Sequence, residues 1–144
     1  MLILDDALLV ATLAGVAPSE LLDAHRGGSI ATTSSWLYRL SRAIEDRSRE
    51  GSLGRSFSRL PAEARQRVRS DLADLPASVG LLPTRALVPA MALISVEHKL
   101  NFLTSEALAA AVLLDAAICA STQSPLLDRA AAALHVRVRT MDPV

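Results

Sequence analysis

Met1-Leu2-Ile3-Leu4-Asp5-Asp6 opens the chain, and Ala117-Ile118-Cys119-Ala120 stands near its other end, just ahead of the polar run Ser121-Thr122-Gln123-Ser124. Each is a short apolar stretch that gives way to a helix-type pattern. A strand buried on both faces reads this way, because a parallel sheet covered by helices leaves neither side of the strand in water. Open α/β folds place their sites at the carboxyl ends of such strands. Asp5 therefore occupies a functional position on the strength of the strand before it.

Working outward, a helix over 7–14 stops at Gly15, and Pro18 opens a short helix that Gly27-Gly28 ends. A second strand is expected over 29–32. The hydroxyls of Thr33, Ser34 and Ser35 then cap a long helix over 36–50 that stops at Gly51, with Trp36, Leu37, Leu40 and Ile44 along one stripe. A short helix over 53–60, another from Pro61 to 72 and a third strand over 79–82 follow. Pro89 disfavours a helix from Thr84 onward, so the next helix is expected over 88–99. Thr104 or Ser105 caps a helix over 106–114. After the 117–120 strand, a helix over 125–134 and a strand over 136–139 complete the alternation. The pattern predicts an α/β fold, a short central parallel sheet flanked by helices, with residues 1–144 as one domain. A chain of this length buries roughly two-thirds of its unfolded surface, enough to fold without disulfide or structural metal.

Asp5 and Asp6 stand where a secretory signal would carry basic residues. The most apolar stretch, 103–120, is interrupted by Glu106 and Asp115, whereas a membrane span needs about 18 or more uncharged residues. A cytoplasmic protein with no membrane association is expected. The lone Cys119 has no thiol or imidazole neighbour in sequence and reads as a small core hydrophobe. His25, His98 and His135 show no metal-ligand spacing, and Gly27-Gly28 lacks the pattern of a phosphate-cradling loop.

Net charge is zero but unevenly placed: between Arg26 and Ser70 ten arginines face four acids, a local balance of +6. Arginine suits bidentate contact with phosphate, so this region is a candidate surface for RNA or an acidic partner, with Arg39, Arg42 and Arg49 as its representatives. The plain alternative is a solvated helix face with acids and arginines at helical spacing. Trp36, Tyr38, Phe57 and Phe102 are not interleaved with the arginines, which argues against a base-stacking platform.

The opening Met1-Leu-Ile-Leu-Asp5 with its apolar helix, the segment Leu103-Thr-Ser-Glu106-Ala-Leu-Ala-Ala-Ala111 and the ending from Ile118 through Pro125-Leu-Leu-Asp128 to Val138 together resemble PIN-domain proteins, the fold of many VapC-type toxin ribonucleases. The resemblance implies a PIN-like domain with Mg²⁺- or Mn²⁺-dependent endoribonuclease activity, in which acids from separate element ends converge on the ion. Hard cations prefer carboxylate oxygen, and phosphodiester hydrolysis needs an activated water and a stabilised leaving oxygen. Carried over, Asp5 is the first acid and Glu106 the third, with Asp6 as a further ligand. The second acid falls in the 36–39 stretch, which holds none, and the fourth falls at Thr122 or Gln123. The resemblance also implies an antitoxin-like protein partner, and the apolar content leaves room for a homodimer. The readings are thus a nuclease with impaired catalysis, or a catalytically silent module binding RNA or a protein partner.

Each site residue has a structural role open to it as well. Asp5 or Asp6 serves as a helix N-cap, Glu106 suits a helix start, and Thr122, Gln123 and Ser124 suit the loop that caps the helix at Pro125. The opening is also similar to that of receiver domains of response regulators, but that resemblance implies a phosphorylated Asp ending a mid-chain strand, and no apolar strand in the middle of this chain ends in Asp, nor does the late strand carry the expected Lys.

Overall fold

The computed structural model describes residues 1–48 and 50–143, so Arg49 lies outside the described residues. The chain runs β1 (Leu2–Leu4), α1 (Asp6–Ala14), α2 (Ser19–Arg26), β2 (Ile30–Thr33), α3 (Ser34–Glu45), α4 (Ser52–Ser58) and α5 (Ala62–Ala73). It continues through β3 (Val79–Leu82), α6 (Thr84–His98), α7 (Phe102–Leu114), β4 (Ala117–Ala120), α8 (Pro125–Ala133) and β5 (Val138–Thr140). Among the described residues no single helix is long and apolar enough to cross a membrane.

All five strands are parallel, in the order β3-β2-β1-β4-β5. The two apolar runs that suggested the fold are direct neighbours, Leu2 beside Ala117, Ile3 beside Ile118 and Leu4 beside Cys119. Chain order reverses between β1 and β4, so the crevice at their carboxyl ends is the topological switch point where ligands of open α/β sheets bind. Receiver domains follow the order 2-1-3-4-5. The order found here and the ending of β3 in Leu82-Pro83 overturn that resemblance.

Strand side chains alternate between two cores, as the pleat requires. Ile3, Ala31 and Ile118 join one core with Leu87, Met91 and Ile94 of α6, with Leu108 of α7 and with Leu127 of α8. Leu4, Ile30, Val79 and Cys119 join the other with Leu8 and Leu13 of α1, Leu21 of α2, Leu40 and Ile44 of α3, Phe57 of α4 and Val68 of α5. Trp36, at the start of α3, packs with the first core, so α3 crosses the carboxyl edge of the sheet.

Element boundaries differ from the sequence expectation where local chemistry outweighs pattern. β2 starts at Ile30 and its last residue, Thr33, is the N-cap of α3, with Trp36 N–H donating to Thr33 Oγ1 at 3.2 Å. α3 ends at Glu45, before the expected stop. α6 begins at Thr84 and runs through Pro89. Pro89 lies on the solvent side, where the carbonyl deprived of its N–H partner turns to water. The cap of α7 is Asn101, which accepts from Thr104 N–H at 2.9 Å, so neither Thr104 nor Ser105 starts the helix and Glu106 is its fifth residue. His135 in the left-handed region, φ 57°, delays β5 to Val138.

Cys119 is fully buried, and burial pushes its thiol above the ordinary range. Cys119→Ser places a hydroxyl in an apolar pocket and is expected to cost about 1–3 kcal/mol in urea unfolding. In the native protein a thiol reagent is expected to label Cys119 only at the rate of unfolding.

Candidate binding cleft at the carboxyl edge of the sheet

Asp5 leaves β1 with extended backbone and caps α1: its Oδ1 accepts from Leu8 N–H at 2.9 Å. Its Oδ2 accepts twice from Ser121, from the backbone N–H at 2.6 Å and from the hydroxyl at 2.7 Å. The Asp5 N–H in turn donates to the Cys119 carbonyl at 3.1 Å. One buried carboxylate thus joins the ends of β1 and β4 and the start of α1. The cap role expected of the Asp5-Asp6 pair belongs to Asp5, and the clamp onto Ser121 is additional.

Asp6 begins α1 and is buried, with Oδ2 3.2 Å from Arg39 Nε on α3. Alignment is too poor for a hydrogen bond, and this oxygen has none. Burial pushes the Asp6 carboxyl above its ordinary range; Arg39 opposes that shift, the neighbouring Asp5 charge adds to it, and backbone N–H groups at the helix start oppose it.

Glu106 is wholly buried. Its Oε2 accepts from Ser35 N–H at 3.2 Å and its Oε1 from the Thr84 hydroxyl at 2.7 Å, so it ties α7 to the starts of α3 and α6. These are the positive ends of two helix dipoles, which compensate a carboxylate out of reach of water.

A cavity of about 460 Å³ opens at the switch point, with Asp5, Asp6, Arg39, Ser121, Thr122 and Ser124 among its walls. A second hollow of about 270 Å³ shares Arg39, Ser52 and Leu53 with it and adds Arg42. The structure therefore gathers Asp5, Asp6, Arg39 and Thr122 on one cleft and Arg42 on its extension. It leaves Glu106 behind the wall and Gln123 exposed outside it. Ser124 caps α8, accepting from Leu127 N–H at 3.3 Å.

Magnesium or manganese held by carboxylates needs several oxygen lone pairs facing one point. The residues present do not fit that need. Both lone pairs of Asp5 Oδ2 are taken by Ser121, Glu106 is committed to two helix starts, and Asp6 faces a guanidinium. Among the described residues no three His, Cys, Asp or Glu side chains are grouped to hold a metal ion.

Five arginines of the basic middle fall into two sets. Arg55 donates to the Glu50 carbonyl, Arg65 to the Ser58 carbonyl at 3.1 Å, and Arg69 to Glu45 at 3.0 Å while lying over the Phe57 ring. Arg65 and Arg69 hold α5 to α4 and α3, whereas Arg55 holds the loop before α4 to its own helix. Arg39 and Arg42 are the pair that reach the cleft. Ser121, the partner of Asp5, is the site residue that sequence reasoning passed over; its place one residue past β4 is the signal that marks it. Against known proteins, no family model and no curated sequence matches this chain.

Two outcomes follow from this geometry. Asp5→Asn keeps an acceptor for Leu8 but presents an amide to the two Ser121 donors, so it is expected to destabilise the protein by about 1–3 kcal/mol. An acid held among like charges for a metal would instead be relieved by neutralisation, and urea unfolding in chelator distinguishes the two. For Asp6, folding raises the pKa, so the stability it contributes is complete below its unfolded value near about 3.9 and is lost as pH rises through the folded value. Arg39→Ala removes the opposing charge. Its deficit is expected to vanish below about pH 4 and to grow to about 1 kcal/mol at pH 7, the pair being half-exposed on the arginine side. A pH-independent deficit would contradict this assignment.

Proposed function

We propose that the chain is a catalytically silent PIN-like module that holds single-stranded RNA by its phosphates along the cleft at the carboxyl edge of the sheet. One observation carries the reading: the two acids that match the family pattern, Asp5 and Glu106, spend their oxygens on donors of their own chain. A nuclease site of this kind keeps such oxygens for an ion and its water. Where the resemblance asks for the second acid, Arg39 stands on the cleft and Tyr38 points to solvent, so the position contributes positive charge.

The walls suit a phosphate chain. Arg39 and Arg42 supply cationic donors along the two connected hollows, and Ser52, Ser56, Thr104 and Thr122 line them with hydroxyl-bearing side chains. Trp36 is buried at the cleft wall and offers no ring face for stacking, so recognition is through the backbone and is tolerant of sequence. An acidic protein partner of the antitoxin-like kind would meet the same arginines and is the alternative outcome of the test.

The test is fluorescence anisotropy with a labelled unstructured oligoribonucleotide across a salt series. Two phosphates neutralised by Arg39 and Arg42 give a log–log slope contribution of about −1.4, and the double Ala variant is expected to lose that contribution. The labelled RNA is expected to remain intact with Mg²⁺ or Mn²⁺. Absence of binding at low salt would transfer the cleft to a protein partner, and robust Mn²⁺-dependent cleavage by the unmodified protein would overturn silence. A readout independent of cleavage is the thermal midpoint. Mn²⁺ is expected to leave the wild-type value within about 1 °C, and a rise of several degrees would overturn silence.

A further inference from the structure

Asp6 and Arg39 face each other in the cleft with unequal freedom. The Asp6 side chain, first in α1, is 10% exposed, and that of Arg39 on α3 is 55% exposed. Their contact, 3.2 Å from Oδ2 to Nε, carries no hydrogen bond, and Oδ2 is shut off from water. A buried carboxylate in this position has lost its hydration against a single, poorly aligned counter-charge. The long, half-exposed arginine is free to swing, whereas Asp6 is held in the first turn of its helix. Both hollows at the carboxyl edge, of about 460 and 270 Å³, have Arg39 in their walls, so an anion lying in either meets this guanidinium.

We infer that Asp6 is a built-in competitor for Arg39, so that the cleft takes up a phosphate together with a proton on Asp6. The inference rests on the phosphate-binding reading of the cleft and adds its regulation. A guanidinium paired bidentately with a phosphodiester turns a donor edge to the phosphate oxygens. It no longer offsets the carboxylate as before, and the phosphate sets a second negative charge beside Asp6. Both changes disfavour the ionised acid, which burial already opposes, and the carboxyl responds by holding its proton. Charge balances in both states: Arg39 and Asp6 neutralise each other in the free cleft, and Arg39 and the phosphate do so over a neutral acid in the occupied one.

The surrounding groups point the proton to Asp6. Asp5 has its oxygens occupied by Leu8 and Ser121, and its charge favours uptake by its neighbour. Arg39 is the charge that α3 presents. On α5, Arg67 lies by Gly15 at the far end of α1, while Arg65 and Arg69 are engaged with α4 and α3. Glu20 of α2 pairs with Arg139 of β5. Ser52, Ser56, Thr104 and Thr122 bring to the cleft hydroxyls that do not titrate in the acid range. Asp46 stands by Arg42 in the second hollow and Asp142 precedes the rim residue Pro143; both are exposed, where salt screens their charge. No histidine lines either hollow.

Anisotropy of a labelled oligouridylate without a terminal phosphate, a ligand that does not itself titrate in the range used, reads the coupling at constant salt. The complex holds more protons than the free protein, so wild-type binding is expected to tighten about tenfold from about pH 7.5 to about pH 5, as one unit of linked pKa change dictates. Asp6→Asn should bind at the higher pH about as tightly as the wild type at the lower, with less than about a twofold change between them. Arg42→Ala should bind more weakly and keep the tenfold ratio. Titration calorimetry near pH 6 in two buffers of different ionisation enthalpy should show roughly half a proton taken up per occupied cleft, and this decides the matter if Asp6→Asn does not fold. Binding that needs Arg39 and Arg42 yet is flat in pH, or a pH dependence that Asp6→Asn retains, overturns the coupling and leaves the phosphate reading standing. Absence of binding at either pH removes the phosphate reading and the coupling with it.

Discussion

The carboxylate of Asp5 is the constraint on which the rest of the structure depends. β1 has three residues and β4 four, so few ladder hydrogen bonds join the two central strands. Beyond them the sheet would splay at the switch point. Asp5 prevents this by accepting from Ser121 past β4 and from Leu8 in α1. Removing it would strand three donors at a partly buried edge, and each unpaired donor is more costly than its hydrogen bond was favourable. The residue best placed to begin a catalytic site is the one the fold can least release.

The same economy governs the other two acids. Helix starts converge on the carboxyl edge because every crossover in a parallel sheet begins there, and each brings unsatisfied N–H groups and the positive end of its dipole. Asp5 answers α1, Glu106 answers α3 and α6, and Asp6 at the head of α1 answers Arg39. A third negative group at the position of Arg39 would leave Asp6 buried without a counter-charge, and its raised pKa shows how little margin exists already. With arginine there, the cleft instead keeps a half-exposed cation at its centre, which suits a polyanion.

Sequence reading reached the features that repeat locally. Apolar runs bounded by polar breaks gave the strands, and parallel strands presenting their carboxyl ends together made β1 and β4 expected neighbours or near neighbours; they pair directly. Asp5, Asp6 and Thr122 fell on one cleft because element ends share an edge in a parallel sheet. What was illegible depends on rotation and on distant pairing. Tyr38 and Arg39 are adjacent in sequence but about 100° apart around α3, and that angle alone sends one to solvent and the other to the cleft. Asn101 as cap moves Glu106 a full turn into α7 and behind the cleft wall, a shift larger than any propensity signal between Thr104 and Ser105 could reveal. The link from Asp5 to Ser121 spans 116 positions, and its one trace in the sequence is the place of Ser121 just past β4.

The first turn of α7 ties the cleft to the outer face of α6. Phe102 and Ser105 wall the groove beside α6, whereas Leu103 and Thr104, between them in sequence, wall the cleft on the other side of the same turn. Glu106, next in the chain, fixes that turn against the starts of α3 and α6. Asn101 caps the same turn through Thr104 N–H, so the wall that α7 lends the cleft is held at its own start by Asn101 and one turn later by the starts of two other helices. The cleft lining is therefore positioned by the same carboxylate that cannot reach it, and any change at Glu106 is felt in the cleft through the placement of Leu103 and Thr104.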